Sequence, residues 1–186
     1  MDAVTRRRLL MLGPLGLAAA GSGVFWALLL RMRQGTYNPH MLQSMLIGKH
    51  LPDFDLPGQP PSAGFSNRDV GKGKLPAVVN FFASWCIPCV EESAALMSLR
   101  QKDVPIWGIA YKDNMAATAA FLTRYGDPYQ RVARDAEGRT AVNFGLYGVP
   151  ETYVLDRTGI VRLRYAGGLS TDSINDTILP LLRKLA

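Results

Sequence analysis

Apolar positions cluster along the chain in short runs whose spacing names their elements. Residues 77–83 follow Pro76 as a nearly unbroken β-branched and aromatic run, the pattern of a strand buried on both faces. Residues 90–100 space Ala94, Leu96, Met97 and Leu99 as a helix, and 104–110 reads as a second buried strand. Residues 114–125 form a helical pattern capped by Asn114 and stopped by Gly126, with Pro128 behind it. Two further strands, 152–155 and 160–165, flank Asp156-Arg157-Thr158-Gly159, a polar hairpin turn ending in glycine. A last helix runs from Ser170 or Asp172 to Leu185, with Pro180 a place for it to bend. Phe54 and Leu56 alternate with acidic residues within 51–66, which suits an extra N-terminal hairpin. The order β-α-β-α-β-β-α predicts an α/β fold with a central mixed sheet flanked by helices. Its first two strands are parallel because a helical crossover joins them.

Ahead of this domain the pattern changes. Residues 9–30 carry no charge, and at about 1.5 Å rise per residue such a helix reaches about 33 Å, enough to cross a hydrocarbon core of about 30 Å. Arg6, Arg7 and Arg8 precede the run, and Arg31 and Arg33 follow it, a slight bias toward a cytoplasmic N-terminus. The expected organisation is a cytoplasmic N-terminus at 1–8, a transmembrane signal anchor at 9–30, a tether at 31–48 and a domain at 49–186. Ala18-Ala19-Ala20-Gly21 also looks like a small-residue cleavage site, and Thr5-Arg6-Arg7-Arg8-Leu9-Leu10 like a twin-arginine export signal. Cleavage near Ala20 would leave an apolar stub, Val24 to Leu30, on the mature end, which favours a retained anchor.

Composition narrows the function classes. The net charge is +6, but the first 35 residues hold five arginines against Asp2 alone and so carry four of those charges. The domain itself lacks the basic stripe of a nucleic-acid binder. Two cysteines cannot staple a mini-protein, and a domain of this length needs no staple to bury a core. Their use lies elsewhere.

Both cysteines sit where the first buried strand hands over to a helix, in Trp85-Cys86-Ile87-Pro88-Cys89. Unpaired N–H groups and the macrodipole at a helix N-terminus favour negative charge, so Cys86 should be more acidic than a free thiol. A thiol of pKa about 8.5 is roughly 3% ionised at pH 7, and lowering that to about 7 raises it to roughly half. Cys89, one turn in, faces back toward Cys86 and suits the resolving role, while Pro88 occupies a first-turn position that tolerates proline. A zinc site lacks ligands, since the only histidines are His40 and His50, and haem attachment would need histidine where Val90 stands. A permanent disulfide across so small a loop adds little loop entropy. A redox dithiol is the reading that remains, with no cofactor beyond the Cys86–Cys89 disulfide itself.

Trp85 is either a core aromatic or a shield and docking face beside the first sulfur. Glu91 suits a solvated helix face. Glu92, three residues past Cys89 and over the same face, is placed to accept or return a proton as Cys89 attacks. Val149-Pro150-Glu151 leads directly into a strand, and an X-Pro bond is by base rate trans.

These residues resemble the thioredoxin superfamily, and more narrowly the membrane-tethered DsbE/CcmG family of cytochrome c maturation thiol-disulfide proteins. The likeness covers nearly the whole chain: Leu46-Ile47-Gly48-Lys49 before Pro52-Asp53-Phe54-Asp55-Leu56-Pro57, residues 80–89, Gly108-Ile109-Ala110-Tyr111-Lys112-Asp113, and Gly145-Leu146-Tyr147-Gly148-Val149-Pro150-Glu151-Thr152. The resemblance implies a thioredoxin fold with Pro150 cis beside the sulfurs, and a substrate groove involving Trp85, Tyr147, Val149 and Pro150. It implies catalytic roles for Cys86, Cys89, Glu92 and Glu151. The implied reaction is reduction of apocytochrome c or of maturation proteins in the periplasm, with electrons from an inner-membrane reductase of the DsbD/CcdA type. Asn80 stands where many thioredoxins have a buried aspartate, which directs attention to Glu92 and Glu151. Ile87-Pro88 departs from the family's frequent proline directly after the first cysteine. Alternative readings are a general periplasmic thiol reductase of the ResA/TlpA kind, a peroxidase, and a non-enzymatic metal chaperone or assembly adaptor. A peroxidase is disfavoured because residues 80–89 lack the expected threonine, and copper delivery because no histidine follows His50.

Overall fold

The computed structural model describes residues 21–31, 44–70 and 75–186, and the chain divides into two compact units, Met1–Pro39 and His40–Ala186. In the first, residues 21–31 form a helix, α1, whose Val24, Phe25 and Trp26 are exposed. Residues 9–20 of the expected anchor lie outside the described residues, and among the described residues no helix is long and apolar enough to cross a membrane.

The second unit is built on a five-stranded sheet. A short antiparallel pair, β1 (Asp55–Leu56) and β2 (Phe65–Ser66), supplies the expected N-terminal hairpin. Then follow β3 (Ala77–Phe82), helix α2 (Ile87–Arg100), β4 (Ile106–Tyr111), α3 (Met115–Tyr125), β5 (Arg131–Asp135), α4 (Arg139–Phe144), β6 (Glu151–Leu155) and β7 (Val161–Ala166). The sheet order is β5-β4-β3-β6-β7, with β3, β4 and β5 parallel and β6 and β7 antiparallel additions. The final helix, α5, starts at Thr171–Ser173 behind a Ser170 capping box, passes through a π-helical stretch Ile174–Ile178, and ends as Leu179–Leu185. Within it the Leu179 N–H bonds Ile174 O, five residues back. That wider turn stands directly ahead of Pro180, which has no N–H to continue an ordinary ladder.

Strand parity divides the core in two. Val78 and Phe82 face one side, where they meet Leu96 and Leu99 of α2, Phe121 of α3 and Ile174, Ile178 and Leu182 of α5. Ala77, Val79 and Phe81 face the other, against Phe54, Phe65, Ala141 and Phe144. Because β3 is central and covered on both faces, all six of its residues are buried. The continuous apolar run therefore reads correctly as a two-sided strand.

Two elements have no counterpart in the sequence reading. In β5 only Val132 and Ala133 are apolar, between Arg131 and Arg134, and it is the sheet's edge. Helix α4 has six residues between Gly138 and Gly145, both at positive φ, too short to display a helical period. Residues 44–49, expected to belong mostly to the tether, join the domain instead. Gly48 N–H donates to Val161 O, Val161 N–H to Lys49 O, and Leu46 packs on the core.

Candidate active site

Helix α2 begins where the apolar run of β3 stops. Cys86 is its N-cap, extended at φ −94°, and its sulfur accepts the Cys89 N–H at 3.2 Å, with Pro88 in the first turn. A sulfur thus takes the place usually held by a serine or aspartate oxygen at a helix start. The two cysteines form a disulfide with Cα atoms 5.3 Å apart. Cys89 is 1% exposed and Cys86 only 4%, while neighbouring Trp85 and Ile87 are 57% and 74% exposed. The reactive sulfur is therefore a recessed edge between projecting apolar side chains.

Across from it, the Val149–Pro150 peptide is cis, and Val149 O lies 3.4 Å from the Cys86 sulfur. Pro150 is buried and Val149 partly so. The loop is tied from two sides. Gly167 N–H donates to Pro150 O at 2.9 Å. Tyr147 N–H donates to Glu151 Oε1 at 2.9 Å, and the Tyr147 ring, 80% exposed, lies under the Arg164 guanidinium at 4.7 Å. On the other rim, Ser84 donates through N–H and hydroxyl to the Asp113 carboxylate, and Trp85 Nε1–H donates to Lys112 O at 3.2 Å.

Glu92 is buried behind the disulfide, on the same face of α2 as Cys89. Asn80 Nδ2 donates to its Oε1 and Leu169 N–H to its Oε2, each at 3.0 Å. Burial raises its pKa from 4.5 to about 7, against those two hydrogen bonds, which pull it down. Gly168 permits this closure: a Cβ there would lie 3.2 Å from Pro88 O, so the 167–169 loop rests directly on the first turn of α2.

Glu151 lies elsewhere. It pairs with Phe81 in the sheet while Thr152 pairs with Asn80, so its side chain points to the face opposite Glu92. Its carboxylate takes four donors: Tyr147 N–H, Tyr153 Oη, and Arg164 Nε and Nη2, the last two at 2.8 Å. Those hydrogen bonds hold the Arg164 pKa above its usual value. The structure thus brings Cys86, Cys89, Trp85, Val149, Pro150 and Glu92 around one site and sets Tyr147 and Glu151 in its supporting loop. Sequence reasoning missed Arg164, Asp113, Leu169 and Tyr129, whose hydroxyl donates to Asn80 Oδ1 at 2.7 Å. All four depend on long-range pairing. None left a local sign: in Val161-Arg162-Leu163-Arg164-Tyr165 even Arg164 falls in the polar phase with the exposed Arg162, although it is itself buried.

A cysteine pair at the head of the first long helix of such a sheet, facing a cis-proline, defines a thiol–disulfide oxidoreductase of the thioredoxin fold. Comparison with known proteins agrees. The AhpC/TSA family profile matches residues 47–164. The chain is 39% identical to the thiol:disulfide interchange protein DsbE of Pseudomonas fluorescens biotype C, covering 87% of this chain and 86% of that one. It is 37% identical to HelX, a thiol:disulfide interchange protein of Rhodobacter capsulatus, over 78% and 82% of the two chains. The crystal structure of a thio-disulfide isomerase from Thermus thermophilus superposes with a TM-score of 0.58 at 29% identity, covering 72% of this chain and 95% of that one. The chain belongs to the DsbE family of thiol:disulfide interchange proteins, within the AhpC/TSA family, and is a protein-disulfide oxidoreductase.

Proposed function

We propose that this protein is a membrane-anchored periplasmic reductant that keeps the haem-binding cysteines of apocytochrome c, or of the maturation apparatus, as thiols. The observation that carries the chemistry is the Cys89 N–H aimed at the Cys86 sulfur. Once reduced, that sulfur sits at a helix N-terminus with an amide donor already in place, so the Cys86 thiolate is the stabilised form. It attacks one sulfur of a substrate disulfide, forming a Cys86–substrate bond as the other substrate sulfur leaves and takes up a proton. Cys89 then gives its proton to Glu92 and attacks Cys86. The second substrate thiol departs and the Cys86–Cys89 disulfide seen here remains. A membrane reductase of the DsbD/CcdA type returns two electrons and two protons. A Glu92 pKa of about 7 matches this exchange, being near enough to a thiol's to pass the proton both ways. Trp85, Ile87 and Tyr147 offer exposed apolar surface to an extended substrate lying along Val149 and Pro150. Glu151 acts by holding that ridge rather than by moving protons.

The thiol–disulfide exchange is supported by the DsbE and HelX relatives, the cytochrome assignment by the motifs that resemble the cytochrome c maturation proteins, and the anchor by the charge-free run at residues 9–30 together with the exposed apolar side chains of α1. Cys89→Ala removes the resolving thiol and should trap the mixed disulfide in living cells. Mass spectrometry should then find apocytochrome c or maturation proteins attached to Cys86, and a set of clients containing neither would sink the pathway. A reduction potential well below about −200 mV fits a reductant, whereas one near −120 mV would reverse the direction.

A further inference from the structure

Asn80 is engaged at both ends of its side-chain amide. Nδ2 donates to Glu92 Oε1 at 3.0 Å and to Thr152 Oγ1 at 3.1 Å, while Oδ1 accepts the Tyr129 hydroxyl at 2.7 Å. Tyr129 reaches this spot because the sheet makes room for it. Gly108 lies opposite Asn80 in β4, and a Cβ there would meet the Tyr129 ring at 2.8 Å. The ring stacks on Phe82 at 4.8 Å with 20° between planes. A missing side chain, a buried phenol and a buried amide thus converge behind the disulfide.

We propose that Tyr129 is a positioning residue: by donating to Oδ1 it fixes the Asn80 amide so that Nδ2, and not Oδ1, faces Glu92. An asparagine amide can present either end to a neighbour at similar shape. Turned over, it would offer Glu92 an acceptor and favour the protonated acid. In the same movement it would put Nδ2 against the Tyr129 oxygen and take from the phenolic proton the acceptor, Asn80 Oδ1, to which it donates. A buried donor without a partner loses its solvation with nothing in exchange, so the turned-over amide is disfavoured. Burial, and after it the negative charges of Glu92 and Asp127, hold the Tyr129 pKa far above neutral, so the phenol stays a donor throughout the working range. The carboxylate of Glu92 therefore meets donors on both oxygens, Asn80 from β3 and Leu169 N–H from the loop before α5. Cys89 stands on its own helix, Thr152 of β6 is the second acceptor for Nδ2, and Tyr165 of β7 belongs to the same core. The outcome is an acid kept ionisable despite its burial.

The catalytic consequence rests on the proton exchange proposed between Glu92 and Cys89, but the positioning itself does not. The test follows the Glu92 carboxyl carbon by NMR across pH in the oxidised full-length chain, kept in solution with mild detergent. Tyr129→Phe should raise the Glu92 midpoint by about half a unit or more, roughly threefold in its ionisation constant. Thr152→Val, which removes a polar group from the same cluster but not the lock, should not raise it. An unchanged or lowered midpoint in Tyr129→Phe overturns the proposal. In the unaltered protein the Asn80 amide protons should show nuclear Overhauser contacts to Thr152. Contacts to the Tyr129 ring in their place overturn it equally, and this measurement holds even if the variant does not fold. The pH profile of resolution by Cys89 is read alongside. If the Glu92 midpoint moves and that profile does not, the lock stands and the proton role of Glu92 falls.

Discussion

Glu92 carries the strongest consequence of any single residue, since its ionisation is tied to folding and, in the proposed mechanism, to exchange as well. Below pH 4.5 it is protonated in both the folded and unfolded chains, and its full contribution to stability is present. Between pH 4.5 and about 7 the unfolded chain gives up the proton while the folded one keeps it, so stability falls as pH rises. The total across that window is on the order of 3 kcal/mol. Glu92→Gln does not titrate. Its stability relative to the unaltered oxidised protein should therefore improve steadily from pH 4 to pH 8, whatever fixed offset the misplaced amide N–H adds. Urea unfolding at several pH values reads this directly, and a gap that stays flat would contradict the buried, raised acid. The same residue marks how far the sequence could be read. Helical spacing put Glu92 over Cys89, and the structure agrees on the face. Its two donors could not be foreseen, because Asn80 and Leu169 lie 12 and 77 residues away in the chain.

Among the elements, the segment from Gly145 to Glu151 shows where local reading ends. Its motif was plain in the sequence, yet the side to which Glu151 points depends on strand parity, and a shift of one residue exchanges the faces. Once Phe81 is opposite Glu151, the carboxylate must face away from Glu92, and burial then requires a cation. Arg164 supplies it, also donating to Gly145 O at 2.9 Å and covering the Tyr147 ring. One arginine on β7 thus gathers both ends of the loop that carries the cis-proline. Arg164→Leu would strand a buried carboxylate and should lower stability by about 3–5 kcal/mol. Adding Glu151→Met removes the uncompensated charge, so the double variant should regain much of that loss in urea unfolding. It should not regain its grip on substrate, because Tyr147 N–H and Gly145 O still lack their partners. Turnover of protein disulfides should fall with KM raised, while reaction with a small dithiol changes little. Elements β5 and α4 escaped notice for reasons of their own: β5 is defined by its pairing with β4 rather than by its own pattern of residues, and α4 is too short to show a helical period.

At the level of the whole molecule, the proposed role of a reductant in an oxidising compartment depends on staying close to an electron source, and the N-terminal run is what would keep the protein there. Four of the six net charges lie in the first 35 residues, on either side of the uncharged stretch from 9 to 30. That arrangement would concentrate the basic residues at membrane boundaries if the stretch is inserted, and it leaves the rest of the chain nearly neutral. Placing Ala19→Arg and Ala20→Arg together at the centre of the stretch adds about 2.5–3.5 kcal/mol each to the cost of insertion. The sum exceeds what the remaining leucines offset easily, since each contributes only about −0.3 to −0.6 kcal/mol. The unaltered chain should stay with membranes through an alkaline wash and carry a reporter fused after Ala186 into the periplasm. The double-arginine chain should be lost from both fractions. Sequencing the N-terminus of the membrane-bound form separates a retained anchor from an export signal: an end at Met1 or Asp2 supports the anchor, and one at Gly21 would show that Ala18-Ala19-Ala20 is cut. In the second case the domain would diffuse freely, and its reduction in cells would depend on its concentration rather than on sharing a membrane with its donor.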